Sequence, residues 1–221
     1  VTYTNGKPSG GWLDIFAKDD NLVKVKTKFG AVWQQIAQRF KSYDEHVLFE
    51  SMNEVNGQDP SEAGYIQDFK VIGELNQIFV DKVRETGSNN KYRWLVVPGR
   101  YTNIEATTNP KYNFQFPKDS ANEENRLMLS VHDYDNAFGM AEGGTLDFSD
   151  QSLAELKTKF QKLNDNYTSK GIPVLFGEYG AINKKNTTQR AYYYEVVAKL
   201  AQLTNVVTCA WDNGISDNPS D

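Results

Sequence analysis

Residues 47–56 read Val-Leu-Phe-Glu-Ser-Met-Asn-Glu-Val-Asn, an apolar run that ends in polar residues and includes Glu54. A second stretch, residues 173–180, reads Pro-Val-Leu-Phe-Gly-Glu-Tyr-Gly and places Glu178 after a similar run. Short apolar runs of this kind predict buried strands. In a parallel α/β barrel the functional side chains lie at the C-terminal ends of the strands. We therefore expect Glu54 and Glu178 to end two strands and to meet at one rim.

The rest of the chain alternates predicted helices with predicted strands, which is typical of a parallel sheet covered by helices. We predict an α/β fold of the (β/α)8 TIM-barrel type, in one domain of residues 1–221, with five strands visible. A doubly wound open sheet is the alternative, but no strand is followed by a Gly-rich dinucleotide motif. Residues 1–20, rich in Gly, Pro, Asn and Asp, are predicted to form a loop. The predicted helices cover about 22–40, 66–84, 153–167 and 189–203, and the predicted strands 47–52, 92–98, 127–134, 174–178 and 206–211.

Composition excludes several classes of function. The net charge of −5 and the pI near 5.2 argue against nucleic-acid binding. The sequence contains no run of 18 apolar residues, so we expect no membrane span. With two histidines and one cysteine, we expect no metal site and no cofactor. Cys209 lies in an apolar run and is expected to be buried.

Two carboxylates at strand ends are what glycoside hydrolysis requires, one as proton donor and one as nucleophile or stabiliser. A strand-end Glu can equally serve as a cap or a salt-bridge partner, and spacing alone leaves both interpretations open. His132 and Tyr134 share one face of a strand because side chains alternate. Trp211 follows the last strand, where its ring could stack on a sugar, whereas Trp33 lies on an apolar helix face and is expected in the core.

Five motifs resemble glycoside hydrolase family five, the large family of retaining cellulases. The pair Asn53-Glu54 resembles its acid/base motif, and the helix and strand before that pair look similar as well. Ser-Val-His-Asp-Tyr at 130–134, Gly-Ile-Pro-Val-Leu-Phe-Gly-Glu-Tyr-Gly-Ala at 171–181 and Cys-Ala-Trp-Asp-Asn-Gly at 209–214 resemble three later segments. The likeness covers essentially the whole chain, and the endo-β-1,4-glucanases of rumen and other anaerobic microbes look most similar.

This resemblance implies roles for individual residues. Glu54 would be the acid/base and Glu178 the nucleophile of a retaining mechanism, with a β-glucan polysaccharide or oligosaccharide as substrate. The other implied contacts with substrate are Asn53 at the 2-hydroxyl, His132 and Tyr134 in the catalytic subsite, Trp211 under the sugar, and Trp12 and Tyr101 in outer subsites. Tyr134 would also donate a hydrogen bond to the nucleophile. The location would be secreted, because polymeric glucan lies outside cells.

The chain departs from the family in two ways. Val55 stands where Pro commonly follows the acid/base Glu, and the three earlier strands with their Arg and His residues are missing. The chain is therefore expected to cover strands four to eight, with the missing barrel segments in the rest of the native protein, and not to be a stable active enzyme alone. Alternatives are a xyloglucan, mixed-linkage glucan or mannan hydrolase with the same pair of glutamates, or a non-catalytic glycan-binding barrel fragment.

Overall fold

The computed structural model describes most of the chain. It divides the chain into two compact units: unit 1 comprises Val1–Tyr101 and Pro110–Leu127, and unit 2 comprises Thr102–Asn109 and Met128–Asp221. In the part of the chain that the structure describes, no helix combines the length and the apolar character needed to cross a membrane. The described residues are 2–4, 7–9, 11–57, 59–122, 124–135, 138, 147–182, 186–212 and 214.

Helices and strands alternate after an N-terminal strand pair. The strands are β1 Thr2–Thr4, β2 Lys7–Ser9, β3 Phe49–Glu50, β4 Leu95–Asn103, β5 Leu127–His132, β6 Val174–Glu178 and β7 Val206–Thr208. The helices are α1 Asp19–Phe40, α2 Glu62–Glu85, α3 Ile104–Thr107, α4 Asp150–Asn166 and α5 Thr187–Thr204.

Unit 1 is built around α2, which has one continuous apolar face. Ile72, Leu75 and Phe79 recur at helical spacing and are fully buried. The helix begins where the Ser61 hydroxyl accepts a hydrogen bond from the Gly64 amide at 3.1 Å. This face packs against α1 and against β3 and β4, which pair in parallel. The core of unit 1 therefore fixes the strands that lead into the candidate site.

Unit 2 contains three parallel strands, with β6 between β5 and β7. Helices α4 and α5 pack against each other. The ring of Phe160 on α4 meets that of Phe176 on β6 edge-on, at 5.6 Å between centroids. The pairing of β5 with β6 is irregular between Phe176 and Glu178, so simple alternation along β6 does not carry the direction of the Phe176 side chain over to Glu178.

The predicted order of helices and strands agrees with the structure, and three local predictions were wrong. Residues 1–20 do not form only a loop, since β1 and β2 pair antiparallel with Thr2 opposite Ser9. The sequence places Asn-Gly between these two strands, a dipeptide favoured in hairpin turns. The strand predicted over 206–211 ends at Thr208, and Cys209 just beyond it is exposed rather than buried. The third difference concerns Glu54 and is described below.

Trp33, predicted in the core, is partly buried and packs against the core of unit 1. Its ring meets the ring of Phe79 edge-on at 4.5 Å and lies 5.8 Å from that of Phe49. Its indole nitrogen also donates a hydrogen bond to the Ser51 carbonyl at 3.2 Å. Trp33 therefore packs under β3 and also binds the backbone just after it.

Candidate active site

Glu178 is the last residue of β6, as the sequence predicted, and is partly buried. Its backbone carbonyl accepts a hydrogen bond from the Asp133 amide at 3.1 Å. The pairing of β5 with β6 shifts between Val131 and His132, so that His132 lies opposite Glu178. Such an irregularity redirects side chains near functional sites. The backbone thus brings the end of β5 alongside the Glu178 carboxylate.

Two predicted site residues contact this carboxylate. The Tyr134 hydroxyl donates a hydrogen bond to Glu178 Oε2 at 2.9 Å, which is the contact that the family resemblance implied. The buried His132 places Nδ1 3.6 Å from the same oxygen, beyond hydrogen-bond distance but close enough for electrostatic attraction when the ring is protonated. The Tyr134 phenol thus holds one oxygen of the Glu178 carboxylate in place. A nucleophile needs such a fixed orientation to attack along a defined line.

Trp211 lies after β7, and its side chain is 45% exposed. Its backbone amide donates a hydrogen bond to the Tyr179 carbonyl at 3.0 Å, and the Cys209 amide does the same to Phe176 at 2.9 Å. These bonds tie the segment after β7 to the strand that carries Glu178. The exposed indole is therefore attached to the Glu178 strand and remains accessible for stacking on a ligand.

An ion-pair network lies beside the end of β5. Lys159 Nζ on α4 is 2.6 Å from Asp133 Oδ1 and 3.5 Å from Glu105 Oε1. Burial raises the pKa of Asp133, and the Lys159 ammonium offsets part of this rise. Burial alone would lower the pKa of Lys159, but Asp133 and Glu105 together raise it. Lys159 thus anchors the residue between His132 and Tyr134.

Glu54 lies in unit 1, in a loop, four residues beyond the end of β3. The prediction that it ends a strand was therefore wrong. The strand is short because its pairing with β4 stops after the Ser51 amide bonds the Val96 carbonyl at 3.0 Å. Glu54 has φ 48° and is partly buried, whereas Asn53 beside it is exposed. The meeting of Glu54 with Glu178 remains a prediction.

A second buried ion pair lies close to this loop. Arg100 Nε on β4 donates to Asp68 Oδ2 on α2 at 2.7 Å, and both side chains are largely buried. Asp68 Oδ2 also accepts a hydrogen bond from the Gly57 amide at 2.8 Å. Neither residue was predicted from the sequence, although a signal was present. Asp68 shares the apolar stripe of α2 with Ile72, and a buried carboxylate on such a stripe requires a partner.

The two predicted outer-subsite residues are both exposed and both lie in unit 1. Tyr101 is 50% exposed, and its amide donates a hydrogen bond to the Val55 carbonyl at 2.8 Å. Trp12 is 41% exposed, and the Lys28 ammonium lies 4.8 Å from the centre of its ring. A sugar that stacks on Trp12 would have to share the ring with this cation or use its other face.

Few of the polar side chains of unit 2 around Glu178 are suited to binding a metal ion. His132 and Glu178 carry ligand atoms, but Oε2 of Glu178 already accepts the Tyr134 hydrogen bond. Asp133 is paired with the Lys159 ammonium, which competes with any cation. This donor set is better suited to orienting a carboxylate and a neutral hydroxylated ligand than to binding a cofactor.

Comparison with known proteins identifies the family. Residues 6–217 match the sequence model of the family described as Cellulase (glycosyl hydrolase family 5). The chain belongs to glycosyl hydrolase family 5. It is 34% identical to endoglucanase A of Paenibacillus barcinonensis over 94% of this chain and 57% of that protein.

Two solved structures show how much of the family fold is present. A family 5 xyloglucanase from Paenibacillus pabuli superposes with a TM-score of 0.85 at 33% identity, over 97% of this chain and 65% of that one. A broad-specificity endoglucanase from Ruminococcus champanellensis with bound cellotriose gives a TM-score of 0.79 at 33% identity, over 91% and 58%. The predicted fold class is confirmed: the described residues include five parallel strands of a partial (β/α)8 barrel. The chain spans about half the length of the curated relatives that it matches.

Proposed function

We propose that the protein is a retaining endo-β-1,4-glucanase that hydrolyses internal bonds of cellulose or related β-glucans. The observation that carries the proposal is the Glu178 carboxylate, which stands at the end of a barrel strand with one oxygen held by Tyr134 at 2.9 Å. This is the placement of a nucleophile in a parallel barrel. Membership of a family of glycosyl hydrolases supports the same assignment.

The proposed reaction is a double displacement. Glu178, ionised, attacks the anomeric carbon while Glu54, protonated, donates its proton to the oxygen of the departing sugar. In the second step Glu54 takes a proton from water, and that water releases the sugar from Glu178. A retaining mechanism requires the two carboxyl groups to lie about 5–5.5 Å apart. We propose that Glu54 and Glu178 meet at this distance.

We propose the following roles for the remaining predicted residues. His132 and Tyr134 line the catalytic subsite next to Glu178, and Asn53 binds the 2-hydroxyl of the sugar beside Glu54. Trp211 forms an apolar floor for one face of a pyranose ring. Tyr101 and Trp12 contact sugars farther along the chain of the polysaccharide.

The nature of the glycan is the second part of the proposal. Cellulose or a related β-glucan is preferred, and xyloglucan is the first alternative because a xyloglucanase is among the similar structures. Mixed-linkage glucan and mannan are further alternatives with the same two glutamates. Loops 100–125 and 135–150 are expected to select among them, and residues 136–137 and 139–146 of the second loop lie outside the described residues. We also propose that the protein is secreted, since its substrate is extracellular.

The test, made in the complete native protein, compares the Glu178→Gln and Glu54→Gln variants with Glu195→Gln, a matched change at an exposed glutamate on α5. Loss of the nucleophile is expected to lower kcat on soluble β-glucans by at least about a thousandfold. The control should retain the parent rate, and all three variants should keep the circular dichroism of the parent. Substantial activity in Glu178→Gln would exclude the assignment. Binding of cello-oligosaccharide by the parent without hydrolysis would favour a non-catalytic glycan-binding protein.

A further inference from the structure

The loop of residues 53–57, called here the Glu54 loop, has an unusual backbone at its central residue. Glu54 has φ 48°, in the left-handed region that residues other than glycine rarely adopt. Its carbonyl accepts a hydrogen bond from the Asn56 side-chain amide at 3.2 Å. Strained conformations of this kind persist where surrounding contacts fix the chain, and they are frequent at functional sites. The contacts that fix this loop are therefore of functional interest.

At the C-terminal end of the Glu54 loop, both the backbone amide and the backbone carbonyl of Gly57 form hydrogen bonds with buried side chains. The Gly57 amide donates to Asp68 Oδ2 at 2.8 Å, and the Gly57 carbonyl accepts from an Arg100 terminal nitrogen at 3.1 Å. A Cβ atom at Gly57 would lie 2.1 Å from Asp68 Oδ2, so the carboxylate can approach only because this residue is glycine. Between Glu54 and Gly57 the loop is held at Val55, whose carbonyl accepts a hydrogen bond from the Tyr101 amide at 2.8 Å.

Asp68 and Arg100 are themselves held rigidly. Their side chains are 6% and 11% exposed and are joined by the 2.7 Å bond from Nε to Oδ2. The guanidinium also lies 3.8 Å from the centre of the Tyr65 ring, and Tyr65 and Asp68 are three residues apart on the same face of α2. The pair thus connects a capped helix and a strand directly to the loop backbone. A buried ion pair is weak evidence for stability, so its main consequence is expected in the segment that it binds.

We infer that Asp68 and Arg100 are positioning residues, which set the orientation of the Glu54 carboxyl by clamping Gly57. This inference rests on the proposed function, in which Glu54 protonates the departing oxygen. A general acid contributes in proportion to the basicity of the leaving group, because a poor leaving group cannot depart without a proton. A misplaced Glu54 should therefore slow the cleavage of substrates with poor leaving groups and spare those with good ones.

The experiment measures kcat/KM for phenyl β-cellobioside and for 2,4-dinitrophenyl β-cellobioside, because kcat/KM reports the step in which the leaving group departs. The variants are Asp68→Asn, which removes the negative charge that holds Arg100 against Gly57, and Arg100→Met, which removes the hydrogen bond to the Gly57 carbonyl. We expect both to lower kcat/KM for the phenyl substrate by about tenfold or more, and to change the dinitrophenyl value by less than about threefold. Arg100→Lys, which can keep one charged contact with Asp68, should recover part of the loss.

The matched control is Asp119→Asn in the same unit. Asp119 forms a buried pair with Arg84 at 2.7 Å, with side chains 0% and 2% exposed. Should this variant fail to fold, Glu74→Gln at the partly exposed pair with Lys26 takes its place. The control is expected to change both substrates by the same factor. Equal losses on both substrates in Asp68→Asn and Arg100→Met, or no loss on either, would overturn the positioning role. A complete native protein that cleaves neither substrate would instead overturn the proposed function on which this role rests.

Discussion

Arg93 is a buried residue whose removal should strongly reduce the stability of unit 1. Its side chain is 1% exposed, in the segment between α2 and β4, and the guanidinium lies over the ring of Phe49 at 4.8 Å. The acceptors that it binds are the side-chain oxygen of Asn90 and the carbonyls of Phe40, Tyr43, Asp44 and Val47. These carbonyls lie at the end of α1 and in the connection to β3. Arg93 therefore fixes the chain that leads into the strand before the Glu54 loop.

The magnitude for Arg93→Met can be worked out from these partners. Tyr43 and Asp44 are exposed, so water can replace the arginine at their carbonyls. The other three acceptors are buried or partly buried, and each unsatisfied acceptor costs about 1 kcal/mol. The methionine keeps much of the apolar contact of the arginine stem. We therefore expect the variant to lose about 3 kcal/mol of unfolding free energy, which for a domain of this size lowers Tm by about 6–12 °C.

The assay is thermal and urea unfolding followed by circular dichroism, with Arg126→Met as control. Arg126 is also an arginine of unit 1, but its side chain is 30% exposed and its carboxylate partner, Glu124, is 58% exposed. Exposed pairs contribute less than about 1 kcal/mol, so the control should shift Tm little. Equal shifts in the two variants, or a loss below about 1 kcal/mol in Arg93→Met, would refute the reasoning.

Two further predictions concern unit 2. Replacing Lys159 by Met should destabilise the protein by about 3 kcal/mol at neutral pH, because it leaves Asp133 buried without its cation. The pKa of Lys159 is raised above 10.5, so the stability that its ammonium provides should be complete below that pH and decline above it. The difference in unfolding free energy between the parent and Lys159→Met, measured by urea unfolding, should therefore shrink at alkaline pH. A difference that stays constant with pH would contradict this. Burial also raises the pKa of Tyr167 and Tyr193, so their neutral forms stabilise the fold, and this stability is lost as pH rises above 10. Ultraviolet titration should show Tyr167 and Tyr193 ionising only on unfolding, and the Tyr193→Phe variant should show one late tyrosine fewer. Early ionisation of all 12 tyrosines would exclude the buried environment.

The sequence predicted the fold well where a pattern repeats over many residues. The apolar stripe of α2 and the apolar run before Glu178 each produced the predicted element. Local exceptions were missed. The position of Glu54 beyond β3 depends on where pairing with β4 stops, which is a tertiary property that no single stretch of sequence encodes. Cys209 lies in an apolar run but beyond the last paired residue of β7, so hydropathy alone predicts the wrong environment.

The sequence also indicated part of the candidate site. The family resemblance implied that Tyr134 would donate a hydrogen bond to Glu178, and the structure contains that bond. The supporting ion pairs were not predicted, because Asp68 and Arg100 are 32 positions apart and meet only when α2 packs on β4. Lys159 and Asp133 are 26 positions apart and meet in the same way. Residue types identify candidate catalytic groups, but the residues that orient them depend on tertiary packing.

The most direct test of the central claim is to identify the residue that becomes covalently bound to the sugar. The protein would be incubated with a 2-deoxy-2-fluoro cellobioside carrying a good leaving group, which slows release of the covalent intermediate, and then digested and mapped by mass spectrometry. The account predicts that the label is found on Glu178, in the peptide from β6, and that it is absent from Glu178→Gln. A label on another residue, or turnover of the natural substrate with inversion at the anomeric carbon, would contradict it.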